Sequence, residues 1–126
     1  MLKAKDIMST RIISVNKNTS AIELARILYE NRISGAPVVD ENNCLVGVVS
    51  EKDLLNVIFS GNVKSCKVED IMTKSPVYFY PETEIDKIAL TISEKGFRRV
   101  VIVDKDKKVV GIVSRHDIIK IVIEEQ

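Results

Sequence analysis

The sequence predicts an α+β fold with α/β-type layers: two copies of one β-α-β-β-α unit, packed through their sheets about a pseudo-twofold axis. Two observations lead there. The chain superposes on itself without a gap when Asp6-Ile7-Met8 is laid on Asp70-Ile71-Met72, an offset of 64 residues. The same offset aligns Thr19 with Thr83, Ala25 with Ala89, Glu30 with Glu94, Val39-Asp40 with Val103-Asp104 and Val46-Gly47 with Val110-Gly111. Each repeat, in turn, is too small to bury both faces of a three-stranded sheet and two helices, whereas two copies face to face can do so. The repeats are assigned to residues 1–66 and 67–126.

Ile12-Ile13-Ser14-Val15 reads as the first strand, ended by the polar turn Asn16-Lys17-Asn18. Thr19 or Ser20 caps the helix that follows. Ser20 and Glu23 stand at capping-box spacing, and Ile22, Leu24, Ala25, Ile27 and Leu28 supply an apolar stripe. Ala36-Pro37-Val38-Val39 and Leu45-Val46-Gly47-Val48-Val49, joined by Asp40-Glu41-Asn42-Asn43, make a hairpin. A second helix runs from Glu51 to about Phe59, and Gly61 marks its end. After a linker over residues 60–67 the second repeat replays this order. The Pro81 turn and Thr83 start its first helix, and Asp104-Lys105-Asp106-Lys107 forms its hairpin loop.

Composition excludes several classes of function. With 19 Lys and Arg against 18 Asp and Glu the formal charge is +1, so no global basic field points to nucleic acid. Cys44 and Cys66 are too far apart for a CxxC metal or redox motif and too few for a secretory disulfide framework; they read as reduced thiols. No apolar run has the length of a signal peptide core or a membrane span, and the expected location is the cytoplasm. The sequence holds no nucleophile–base pair, metal cluster or Walker-type loop, so no catalysis and no metal are expected.

The most informative stretch is Val46-Gly47-Val48-Val49-Ser50-Glu51-Lys52-Asp53, with its copy Val110 to Asp117. Each reads as a buried strand running into a helix whose first turn carries a hydroxyl and, three residues on, a carboxylate. Such a junction presents orphan N–H groups and a partial positive charge, where phosphates bind. A plainer reading stands beside it: Ser50 with Asp53, and Ser114 with Asp117, approximate capping boxes that exist only to start a helix. Arg115 and His116 put basic groups where the helix dipole disfavours them, which hints at a nearby anion, although a lone His on a surface turn is more often a solvated residue.

These motifs resemble the tandem cystathionine-β-synthase (CBS) domain pair, or Bateman module, here expected as a stand-alone pair. The likeness rests on Asp6-Ile7-Met8, Ile33-Ser34-Gly35-Ala36-Pro37-Val38-Val39-Asp40 and the octet, and on their second copies Asp70-Ile71-Met72, Gly96 to Asp104 and Val110 to Asp117. The resemblance implies a cleft between repeats that binds AMP, ADP, ATP or sometimes S-adenosylmethionine, with Asp53 and Asp117 accepting the ribose hydroxyls and Ser50 and Ser114 holding phosphate. A carboxylate suits a cis-diol because it can accept both protons. Carried over by position, one site joins Ser50, Lys52 and Asp53 with Pro76, Val77, Phe97, Arg98, Arg99 and Val101. The other joins Ser114, His116 and Asp117 with Ile12, Ile13, Thr19, Ile33, Ser34 and Pro37. Arg98 and Arg99 replace Ser34 and Gly35 of the first copy, which favours a polyanionic ligand unless they are solvated or paired with carboxylates.

The expected function is a non-catalytic regulatory module that senses an adenine nucleotide and modulates an unidentified partner protein. It is expected to be a homodimer, because the second helices carry apolar residues on more than one side, as Ile118, Ile119, Ile121, Val122 and Ile123 show, and the resemblance implies that the dimer is disc-like. Alternatives are an assembly module with weak or no nucleotide binding, S-adenosylmethionine binding, and nucleic-acid binding through local Lys and Arg patches.

Overall fold

A computed structural model describes residues 1–125 of the 126-residue chain. In chain order the elements are α1 (Ala4–Ile7), β1 (Val15–Asn16), α2 (Ala21–Asn31), β2 (Gly35–Val39), β3 (Leu45–Ser50), α3 (Glu51–Ser60), α4 (Val68–Ile71), β4 (Tyr78–Phe79), α5 (Ile85–Lys95), β5 (Arg99–Val103), β6 (Val109–Ser114) and α6 (Arg115–Glu124). The β-α-β-β-α order therefore appears twice. Two three-stranded mixed sheets result, β1-β2-β3 and β4-β5-β6, in which the first pair is parallel and the second antiparallel.

The chain divides into two compact units, one of residues 13–76 and the other of residues 1–12 with 77–126. This partition differs from the sequence repeats at 1–66 and 67–126, because the leading segment of each repeat packs with the sheet of the other. In the first unit, Thr73 and Val48 exchange both backbone hydrogen bonds, at 2.9 and 3.1 Å. In the second, Ser9 and Ile112 do the same at 2.8 and 3.0 Å. That capture also shortens the first strand: the chain before residue 13 belongs to the other unit, so Val15 and Asn16 alone pair with β2, where Ile12–Val15 was expected.

Each unit has its own core. In the first, Ala21, Leu24 and Leu28 along one stripe of α2 bury against Val15, Val38 and Val49 of the sheet, Leu54 and Val57 of α3, and Val68 of α4. In the second, Ile85, Ile88 and Ile92 of α5 bury against Phe79, Val100, Ile102 and Val113, with Ala4 of α1 beneath them. Ser20 is the cap of α2, its Oγ accepting the Glu23 N–H at 3.0 Å, which decides between the two hydroxyls. Thr83 does not cap α5. Its Oγ1 accepts the Tyr80 N–H in the preceding turn at 3.0 Å, and Glu84 precedes the helix. The Ile85 N–H that this leaves is taken by the Leu2 carbonyl at 3.0 Å.

The Asp-Ile-Met motifs acquire a structural role. Asp6 and Asp70 are the third residues of the one-turn helices α1 and α4, where their Oδ2 atoms accept the Lys3 and Lys67 N–H groups at 2.8 and 2.9 Å. The helix turn then delivers Met8 over Gly111 and Met72 over Gly47, close enough that neither glycine has room for a side chain. Lys3 and Lys5 fasten the N-terminal segment to Glu82, each with an Nζ–Oε separation of 2.9 Å. Those two ammonium groups hold the Glu82 carboxyl down at about 2, well below its ordinary 4.5.

Candidate functional site

Both octets form the predicted junction, and both form the predicted capping box. In the first unit the Ser50 N–H and the Ser50 hydroxyl donate to Asp53 Oδ2 at 2.9 and 3.1 Å, while the Asp53 N–H reaches Ser50 Oγ at 3.4 Å. In the second, the Ser114 N–H donates to Asp117 Oδ2 at 2.8 Å and the Asp117 N–H to Ser114 Oγ at 3.1 Å. The helix-starting reading is thus realised in both copies. It does not exhaust the carboxylates. Every bond the two carboxylates accept ends on Oδ2, and among the described residues no donor reaches Oδ1 of either aspartate. The box orients each carboxylate and leaves one oxygen, with its lone pairs, for an external donor. Asp53 also borders a concavity of about 250 Å³ shared with Asn56, Val57 and Ile71.

The other predicted site residues are distributed over both units. Ser50, Lys52, Asp53 and Pro76 of the first predicted site lie in the 13–76 unit, and Val77, Phe97, Arg98, Arg99 and Val101 in the other. Of the second site, Ile13, Thr19, Ile33, Ser34 and Pro37 lie in the 13–76 unit, and Ile12, Ser114, His116 and Asp117 in the other. Within the first unit, Gly35 stands opposite Ser50 and Pro37 opposite Val48, and the Glu51 N–H donates to the Ser34 carbonyl at 2.9 Å. Ser34 therefore sits beside the Ser50–Asp53 box. Thr19 lies further along, its carbonyl accepting the Val68 N–H at 2.8 Å. Within the second unit, Arg99 stands opposite Ser114 and Val101 opposite Ile112. Pro37 and Val101 are buried, while Ile33 and Phe97 pack against their own cores. Lys52, Arg98 and His116 are exposed, and their side chains form no hydrogen bond or ion pair among the described residues.

Arg115 is placed differently from the anion contact its position suggests. Its Nε donates to the Phe97 carbonyl at 2.5 Å and its Nη2 to the Gly96 carbonyl at 2.8 Å, so the guanidinium caps the C-terminal end of α5. The negative end of one helix offsets the unfavourable placement at the positive end of the next. Only the contrast with Glu51 at the matching position of the first repeat could have signalled this from sequence.

The CBS domain profile matches residues 4–60 and 68–124, which covers nearly the whole chain. The chain belongs to the CBS domain family. As a CBS pair it is similar to CBSX2 from Arabidopsis thaliana, whose crystal structure in complex with AMP superposes with a TM-score of 0.87 at 33% identity over 98% of each chain. It is similar also to the CBS domain pair of the protein MJ0100 in complex with 5'-methylthioadenosine and S-adenosyl-L-methionine, with a TM-score of 0.86 at 31% identity over 100% of this chain and 99% of that one. Among curated relatives, the L-aspartate semialdehyde sulfurtransferase of Methanocaldococcus jannaschii is 34% identical over 90% of this pair, which spans 22% of that enzyme. The pair covers only a minor part of several such relatives, a homoserine O-acetyltransferase of Methanohalobium evestigatum at 24% among them. Among the described residues no helix is long and apolar enough to cross a membrane.

Proposed function

We propose that this CBS pair is a regulatory, non-catalytic module that binds an adenine nucleotide (AMP, ADP or ATP) at the Ser50–Asp53 and Ser114–Asp117 junctions and passes the occupancy on to a partner protein. The observation that carries the reading is the parallel treatment of both aspartates: one oxygen fixed by the helix cap, the other without a donor among the described residues. That is the arrangement a ribose diol requires, since its hydroxyls need an acceptor already oriented. The AMP held by CBSX2, a relative across the full length, supports the same ligand class. In this reading Ser50, Lys52 and Asp53 serve the junction of the 13–76 unit, and Ser114, His116 and Asp117 that of the other.

S-adenosylmethionine is a second reading, favoured by the ligands of the MJ0100 pair, because the same diol contact serves any adenosine derivative. Association into a homodimer is part of the proposal as well. No residue of α6 is buried, and α3 exposes Leu55, Ile58 and Phe59, the last 90% accessible. Apolar surface of this kind is characteristic of a protein contact. Sedimentation at micromolar concentration is expected to give about twice the 14.1 kDa of the chain.

Calorimetric titration with AMP, ATP and S-adenosylmethionine tests the ligand. Asp53→Asn and Asp117→Asn keep an acceptor for the cap and remove the charge, so each is expected to abolish one site while the protein stays folded. Silence of the wild type towards all three ligands would exclude the nucleotide reading and leave the assembly role.

A further inference from the structure

The two junctions share a capping box but differ in charge. In the first unit α3 opens with Glu51 and Asp53 in its first turn, and the residues set beside the box are uncharged: Gly35 stands opposite Ser50, and the Ser34 carbonyl accepts the Glu51 N–H at 2.9 Å. In the second unit the same two places hold arginines. Arg99 stands opposite Ser114, and the Arg98 carbonyl accepts the Arg115 N–H at 2.9 Å. Arg115 itself replaces Glu51, so the first turn of α6 keeps only the carboxylate of Asp117. The Arg115 guanidinium donates to the carbonyls of Gly96 and Phe97, which are neutral, and its positive charge therefore stays at the junction. The Arg98 side chain is exposed and has no partner among the described residues.

We propose that the two junctions discriminate by charge: the Ser114–Asp117 junction takes the phosphate-bearing adenine nucleotide, and the Ser50–Asp53 junction takes an adenosine derivative without phosphate, S-adenosylmethionine being one. The proposal rests on the nucleotide reading above and assigns a different class of occupant to each junction. A helix N-terminus favours an anion, but in α3 the Glu51 carboxylate already meets that preference and would repel a phosphate tail. In α6 the preference is unmet, and the guanidiniums of its own unit add to it. Like charges gathered in this way repel one another, and a phosphate tail offsets the repulsion through charge-assisted hydrogen bonds. Arg98 is the specificity-determining residue, because its guanidinium is the one with no protein partner to give up.

Each junction is read alone in the variant that disables the other, by calorimetric titration with ATP, adenosine and S-adenosylmethionine. In Asp53→Asn, which leaves the Ser114–Asp117 junction, ATP is expected to bind at least about tenfold more tightly than adenosine, the weight of one charge-assisted hydrogen bond, and the preference should shrink as salt is raised. In Asp117→Asn, which leaves the Ser50–Asp53 junction, ATP should bind no more tightly than adenosine or S-adenosylmethionine. Arg98→Ser, which installs the residue of the first repeat, should weaken ATP about tenfold at the Ser114–Asp117 junction and leave adenosine there within about twofold. Glu51→Gln should strengthen ATP several-fold at the other junction. The same preference for ATP over adenosine at both junctions overturns the proposal while leaving nucleotide binding intact. So does an unchanged ATP affinity in Arg98→Ser, an effect of that variant on the Ser50–Asp53 junction instead, or the loss of all binding in either aspartate variant. A wild type silent to all three ligands removes the nucleotide reading and the proposal with it.

Discussion

Replacing Gly47 with Ala should destabilise the protein more than replacing Gly111 with Ala, although the two glycines hold equivalent places in the repeat. A Cβ at Gly47 would lie 2.6 Å from Met72 Sδ and 2.7 Å from the Thr73 carbonyl oxygen. The methionine can turn aside, but the carbonyl cannot. It accepts the Val48 N–H at 3.1 Å while the Thr73 N–H donates back to Val48 at 2.9 Å, so moving it weakens both bonds. Two backbone hydrogen bonds at about 1 kcal/mol each, added to a mild overpacking cost, put Gly47→Ala at roughly 2–3 kcal/mol. At Gly111 the three nearest atoms in the way all belong to the Met8 side chain, with Cγ at 2.8 Å and Cβ at 3.1 Å, and the expected cost is about 1 kcal/mol. Urea denaturation separates these values, and the melting temperature should fall by about 3–4 °C for each kcal/mol. The double variants sharpen the test. Met8→Ala should relieve most of the Gly111→Ala loss, whereas Met72→Ala should leave the larger part of the Gly47→Ala loss in place. Equal losses at the two glycines, or full rescue by Met72→Ala, would refute the backbone clash.

Other outcomes follow from single contacts. Arg32 ends α2 in the left-handed region at φ 54°, where the second repeat has Gly96, and its side chain has no partner among the described residues; Arg32→Gly should raise stability by about 0.5–1 kcal/mol in denaturant titration. Glu82, held at about 2 by Lys5 and Lys3, contributes stability that is complete above its ordinary 4.5 and is lost as pH falls through about 2, so the melting-temperature gap between wild type and Glu82→Gln should close across that window. Parallel curves for the two proteins would remove the ion cluster as the cause. Ser114→Ala should cost about 1 kcal/mol, because the cap of α6 is lost, and α6 has no buried residue to compensate.

The repeat order, the hairpins, the second helices and the two junctions were legible in the sequence because each has a local signal: alternating apolar residues, a polar loop, a hydroxyl three residues before a carboxylate. What was not legible was long-range. Nothing in Asp6-Ile7-Met8 says that Met8 will lie over Gly111, about a hundred residues away in sequence, or that Met72 will lie over Gly47. The motif marked the register of the repeat without disclosing that the leading segment of each repeat packs with the sheet of the other. Thr83 misled for a related reason. A hydroxyl before an apolar stripe suits a helix cap, but the Leu2 carbonyl, supplied from the other end of the chain, already serves the Ile85 N–H at the start of α5.

Arg115 and the two aspartates together show why capping and the proposed binding do not compete at these junctions. A carboxylate that fixes its own helix start through Oδ2 cannot rotate freely, and the constraint makes Oδ1 a better acceptor for an external hydroxyl than a solvated aspartate would be. Arg115 shows the same economy in the opposite sense: the residue that looks most like an anion contact is consumed by the end of α5, whereas the side chain of Arg98, whose carbonyl takes the Arg115 N–H, has no partner among the described residues. Removing the Asp53 charge by Asp53→Asn should therefore cost little stability and much affinity, whereas Arg115→Met should loosen a segment without removing a ligand contact. A fold that met these needs with separate residues would show the reverse, with caps and contacts failing independently.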